Sequence, residues 1–157
     1  MQTQLIVVGK TTGQPLLQLI GQYRERIARH MAFAIEELPA LRNTRHLSPD
    51  QQTHLEGQAL LARFRPGDHI VLLDEHGLQM RSLQLARWLQ QKQATAPRRL
   101  VFVIGGPYGF SPAVRAAAAE QLSLSPLTFS HQLVRLLFVE QLYRAQTIIR
   151  GEPYHHE

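Results

Sequence analysis

The chain has 157 residues, 44% of them hydrophobic, and no cysteine. That length and apolar content suit one domain with its own core and exclude a wholly disordered chain. The missing cysteines exclude disulfides and thiolate metal sites. Seventeen Lys and Arg against twelve Asp and Glu leave a net charge of +5, almost all from arginine, since only Lys10 and Lys92 are lysines. Arginine meets phosphate through a planar two-pronged contact, so a nucleic-acid partner is one meaning of this balance and an ordinary basic surface the other. No apolar run is long enough for a membrane-spanning helix and the first residues carry no signal-peptide pattern, so the expected setting is the cytoplasm, with no membrane partner.

In chain order, residues 4–8 read as a short apolar strand ending at Gly9. Leu16, Leu19, Ile20, Tyr23 and Ile27 recur at helical spacing over 15–29. A second strand covers 33–38 and stops at Pro39, and Arg42, Arg45 and His46 follow in a polar basic loop. Ser48-Pro49-Asp50 is a helix start, with a capping serine and proline in the first turn; that helix is expected to reach about Phe64 before Pro66-Gly67. A third strand covers 69–73 and ends in Asp74-Glu75-His76-Gly77, and Ser82 caps a helix to about Gln91. The fourth strand is 100–104, and Ser111-Pro112 opens an alanine-rich helix expected to reach about Glu120. Residues 122–129 form a mixed stretch broken by Pro126, the last helix covers 131–150, and an irregular tail follows. Alternating strands and helices predict a single α/β domain over 1–157 with a mainly parallel sheet.

Two features stand out. The run Leu100-Val101-Phe102-Val103-Ile104 reads as a strand buried on both faces, and it ends in Gly105-Gly106-Pro107-Tyr108-Gly109. Ligands in open α/β sheets bind outside the carboxyl ends of strands, where glycine lets backbone approach closely. These glycines are misspaced for a dinucleotide fingerprint and lack the Lys of a phosphate loop, so a small-molecule site competes with a plain strand-to-helix turn. The last helix is apolar at eleven of seventeen positions between Leu133 and Ile149, too many for one stripe. It is therefore either fully buried or shared with a second chain, and a homodimer is the favoured expectation.

Three segments then converge: Val71-Leu72-Leu73-Asp74-Glu75-His76-Gly77; Val103-Ile104-Gly105-Gly106-Pro107-Tyr108-Gly109; and 122 to the end, with Leu124-Ser125-Pro126-Leu127-Thr128-Phe129-Ser130-His131, Leu142-Tyr143-Arg144-Ala145 and Pro153-Tyr154-His155. In this order and spacing they resemble the RlmH family of ribosomal RNA methyltransferases over essentially the whole chain. The resemblance implies a parallel-sheet SPOUT fold whose C-terminal part, about 100–157, threads into a trefoil knot. It also implies S-adenosyl-methionine as methyl donor, a homodimer, and methylation at N3 of a pseudouridine in large-subunit (23S) rRNA. Position by position, it assigns the cofactor to Leu73, to Gly105, Gly106 and Gly109, and to Leu124, Ser125, Pro126, Leu127, Thr128 and Phe129. It places His131, Tyr154, His155 and His156 near the catalytic centre. Two positions depart from the family's habit: Tyr108 stands where Glu is common, and His156 where Arg or Lys is common.

Methyl transfer from a sulfonium is an in-line displacement that gains most from alignment of donor and acceptor. The acceptor N–H must also lose its proton, for which His131, His155, His156, Asp74 and Glu75 are open candidates, as is direct loss to water. Each also has a structural reading: His131 bonding the loop before it, Asp74 and Glu75 capping a turn, Tyr154 packing rather than stacking on a looped-out base. Arg42, Arg45 and His46 are either phosphate contacts or a solvated loop. The histidines lack metal-ligand spacing, so no metal is expected. The modest charge points to an assembled ribosomal surface as substrate rather than naked RNA, and the alternative function is a non-enzymatic ribosome-binding or assembly factor on the same fold.

Overall fold

The computed structural model describes residues 1–95 and 97–157, in which strands and helices alternate strictly. They are β1 (Gln2–Val8), α1 (Gln14–Ala28), β2 (Phe33–Leu38), α2 (Pro49–Leu61), β3 (Asp68–Gln79), α3 (Ser82–Thr95), β4 (Arg99–Ile104), α4 (Pro112–Ala117), β5 (Glu120–Ser123) and α5 (Leu133–Ile149), with a short 3-10 turn over Thr44–His46. All strand pairs are parallel, in the order β2-β1-β4-β3-β5. The central strands have no solvent face: every residue of β4 is buried, and every residue of β1 except Gln2. Alternate side chains therefore serve two cores. Leu5, Val71 and Phe102 pack with Ile27, Trp88, Phe138 and Leu142 from α1, α3 and α5. Ile6, Leu72 and Val103 pack on the other face with Leu60 of α2 and Val114 of α4. Phe102 sits between Trp88 and Phe138, with ring centroids 5.9 and 4.7 Å away, the tilted geometry aromatic rings favour.

Two of the three expected caps form, whereas Ser82 is itself the first residue of α3 and its hydroxyl donates to Gln141 Oε1 (3.3 Å). Ser48 accepts from the Gln51 amide while the Gln51 side chain accepts from the Ser48 amide, and Ser111 accepts from the Val114 amide. Several boundaries differ from expectation: α2 ends at Leu61, short of Phe64, and α3 runs on past Gln91 to Thr95. The alanine-rich helix α4 stops at Ala117, because Ala118 turns extended (ψ 141) and the Ala119 amide donates to Ile70 O at 2.8 Å. Sheet pairing thus overrides the helix preference of the alanines and starts β5, which sequence pattern alone did not mark. Strand β3 continues past Asp74-Glu75-His76-Gly77 as a bulge, with Leu122 of β5 facing both Leu73 and Leu78. Gly77 permits this: a Cβ there would lie 2.7 Å from the Gln121 carbonyl carbon.

Two buried arginines hold opposite ends of the sheet. At the amino end, Arg99 donates to Asp68 Oδ1 (2.9 Å) and to Arg63 O (2.9 Å). At the carboxyl end, Arg135 is 2% exposed and donates to Val8 O, Gly9 O, Thr11 Oγ1 and His131 O, each at 2.9 Å. Beside it, Gln132 donates to Lys10 O and accepts from the Thr12 amide, both at 2.9 Å. The first turn of α5 is thereby stitched to the end of β1.

Two tests follow from these clasps. Arg135→Ala orphans two buried carbonyls, Val8 O and Gly9 O, and two half-exposed acceptors, and its expected cost is about 3 kcal/mol by urea denaturation, with faster hydrogen exchange at the 9–12 amides. Asp68 behaves differently with pH. Burial raises its pKa, but bonds from Arg99 and from the Arg65 amide more than offset that and hold the carboxyl below its ordinary 3.8. Its stabilisation is then complete above that ordinary value and is lost as pH falls through the lowered one. The stability gap between wild type and Asp68→Asn is expected to close on acidification; a gap constant from neutral pH to pH ~2 would contradict the assignment.

Candidate functional site

A cleft of about 490 Å³ opens at the carboxyl ends of β3 and β4, within the volume range of small-molecule sites. Leu73, Gly105, Gly106, Gly109, Leu124, Ser125, Leu127, Thr128, Phe129 and His131 all line it. Pro126 is exposed at the turn of the same segment and does not. The floor is apolar, from Leu73, Ile104 and Val134, while Asp74, Glu75, His76 and Arg115 supply charge on one side.

The glycine turn is shaped by the protein itself. The Gly109 amide donates to Gly106 O at 3.2 Å, closing the turn, and Gly109 takes φ +78, a conformation that favours glycine. A Cβ on Gly105 would lie 3.0 Å from the Phe110 ring, and one on Gly106 would lie 2.6 Å from both carboxyl oxygens of Glu56. Both missing side chains thus have a packing reason behind the turn, beside the ligand approach that is one of the two readings of these glycines in sequence. The opposite wall organises itself in the same way. Ser123 Oγ donates to Ser125 O (2.9 Å), Ser125 Oγ accepts from the Leu127 amide (3.0 Å), Thr128 Oγ1 donates to Glu75 Oε2 (2.8 Å), and Ser130 Oγ accepts from the Leu133 amide (3.1 Å) at the start of α5.

Asp74 is nearly buried and fully engaged: it accepts from the His76 amide (2.8 Å), from the His76 ring and from Arg115 Nη2 (2.8 Å). Burial raises its pKa, but these bonds outweigh it and hold the carboxyl below its ordinary value, which makes Asp74 a fixed anion and a poor base. His131 lies exposed at the cleft, its carbonyl anchored by Arg135 and its imidazole available.

The tail goes elsewhere. Tyr154, His155 and His156 do not line this cleft. The Tyr154 hydroxyl donates to Glu140 Oε1 (3.0 Å) and lies 3.3 Å from the Tyr23 hydroxyl, with its ring edge-on to Tyr143 and under Arg144. Burial and those two neighbours push its phenol well above the ordinary range, so it serves as a neutral donor. His155 Nδ1 lies 3.1 Å from Arg144 Nη1; since a guanidinium only donates, Nδ1 is the acceptor. His156 is exposed. Arg42, Arg45 and His46 are also exposed, around the 3-10 turn. Sequence reasoning missed Glu56, Arg115 and Arg135. For Arg135 a signal existed, a lone arginine inside Leu133-Val134-Arg135-Leu136-Leu137. Among the described residues, no group of three or more His, Asp or Glu could hold a metal, and no helix is long and apolar enough to cross a membrane.

Comparison with known proteins agrees in one direction. Residues 1–155 match the family described as "Predicted SPOUT methyltransferase". Curated relatives named ribosomal RNA large subunit methyltransferase H are similar over the full length of both chains. They include proteins of Bacteroides thetaiotaomicron (54% identical), Bacteroides fragilis (52%) and Flavobacterium johnsoniae (45%). With whole-length identity near one half and a parallel α/β sheet that opens a cleft at its strand ends, this chain belongs to the SPOUT methyltransferases, in the ribosomal RNA large subunit methyltransferase H family.

Proposed function

We propose that the protein transfers a methyl group from S-adenosyl-methionine to N3 of a pseudouridine in large-subunit ribosomal RNA. The observation that carries this function is the convergence of three distant stretches on one cleft: Leu73, the glycine turn and the 124–129 segment. The relatives carry ribosomal RNA in their names, and the arginine-rich net charge of +5 suits a phosphate-bearing partner.

The cleft suits this donor, a sulfonium cation that also carries a flat adenine: apolar Leu73, Ile104, Leu124 and Phe129 meet the carboxylates of Asp74 and Glu75 on one wall. When bound, the donor supplies a methyl group on a positively charged sulfur. The protein's share is alignment, supplied by two walls already braced by internal hydrogen bonds. His131, at the foot of α5 in the cleft, is the residue assigned to take the acceptor's proton.

A homodimer completes the proposal. Helix α5 buries Phe138, Val139 and Leu142 against its own core but leaves Leu133, Leu136 and Leu137 partly exposed. Tyr154, His155 and His156, off the cleft of their own protomer, are assigned to the transfer site of the partner. The trefoil knot over about 100–157 is consistent with α5 following edge strand β5 yet bonding back to the end of β1. A ribosomal substrate implies the cytoplasm.

Calorimetric titration with S-adenosyl-methionine is expected to show saturable binding. Thr128→Arg, at an exposed position facing Glu75, is expected to weaken it about tenfold or more by placing a cation in the cleft. On ribosomes lacking the modification, the wild type is expected to form N3-methylpseudouridine, read by nucleoside mass spectrometry, and His131→Ala to lower kcat about 100-fold. Ribosome binding without methyl transfer would favour an assembly factor instead.

A further inference from the structure

Glu56, on α2, is 5% exposed, and its Oε1 has no hydrogen-bond partner among the described residues. A carboxyl so placed costs free energy that an apolar side chain of similar size would not. Burial raises its pKa above the ordinary 4.5, and Gln52 on the same helix only partly counters this. Its position is specific. Both carboxyl oxygens lie 2.6 Å from the point where a Gly106 Cβ would stand, so the group straddles the back of the glycine whose other side meets the cleft. The next residue, Gly57, abuts the far end of the same loop, where a Cβ would lie 2.4 Å from Ser111 Oγ. Two adjacent residues of α2 thus gauge both ends of the 105–111 loop.

We propose that Glu56 is a positioning residue for the methyl-donor cleft, acting through Gly106: its carboxyl fills the space behind that glycine and sets where the turn meets the donor. This rests on the function proposed above. Glu56 does not line the cleft and touches no reacting atom. Glu56 and Gly106 form one unit, in which the size of one side chain dictates the absence of the other.

The test is a double-mutant cycle read by S-adenosyl-methionine titration, with a thermal melt of each variant. Glu56→Ala and Gly106→Ala are each expected to weaken donor binding about tenfold, because one vacates the space and the other overfills it. The double variant is expected to bind no more weakly than either single one, since the new methyl occupies the vacated space, instead of showing the about 100-fold loss of independent sites. Glu56→Gln, of the same shape, is expected to stay within about threefold of wild type. With saturating donor, kcat on unmodified ribosomes is expected to hold within about threefold in Glu56→Ala while KM for the donor rises. Glu56→Asp, which withdraws the carboxyl by one methylene, makes the same comparison if Glu56→Ala folds poorly. Additive losses, wild-type affinity in Glu56→Ala, or a loss confined to kcat would overturn the proposal alone. A wild type that takes up no donor would overturn the cleft's function and this proposal with it.

Discussion

The guanidinium of Arg135 is the contact on which the rest of the cleft depends. It sits at the start of α5, takes up two carbonyls at the end of β1 and the Thr11 hydroxyl, and returns its Nε to the carbonyl of His131. The segment before α5 is one wall of the cleft, and its course is set by where α5 begins. Four bonds from one guanidinium make this attachment rigid, and a buried arginine without them would be strongly destabilising. A long polar side chain therefore fixes the cleft's outer wall, while apolar packing fixes its floor.

The inner wall follows the same logic from the other side of the sheet. The 105–109 turn leaves β4, which is buried on both faces and cannot shift without disturbing two cores. Phe110 fills the space beside Gly105, Glu56 that behind Gly106, and the positive φ of Gly109 closes the turn. The backbone is in this way presented to the cleft already shaped. A site whose walls are braced before a ligand arrives loses little ordering entropy on binding, which is what an alignment-driven transfer requires.

Much of this was legible from residue pattern, and the rest was hidden for identifiable reasons. The buried strands at 4–8 and 100–104, the Ser-Pro caps at 48 and 111, and the convergence of Leu73, the glycine turn and the 124–129 segment all followed from local signals or motif order. Strand β5 did not, because Ala116 to Ala119 favour helix and only the bond from the Ala119 amide to Ile70 reverses that locally. The bulge in β3 was masked because Asp74-Glu75-His76-Gly77 is also an ordinary turn sequence. Glu56 lay inside a helical stretch where a charged residue normally faces solvent, and Arg135, though set among apolar neighbours, carried no mark of the carbonyls it would bond. The tail separates from the cleft for a related reason: motif order implies which residues occur together, but not that Tyr154 and His155 pack against Glu140 and Arg144 of α5.

The most direct test of the account is diffraction from crystals grown with S-adenosyl-homocysteine, the demethylated form of the donor. The account predicts density for the ligand between the 105–109 turn and the 124–129 segment, over Leu73, with Arg135 unmoved. Density for the ligand at any other place, with this cleft open to solvent, would contradict it.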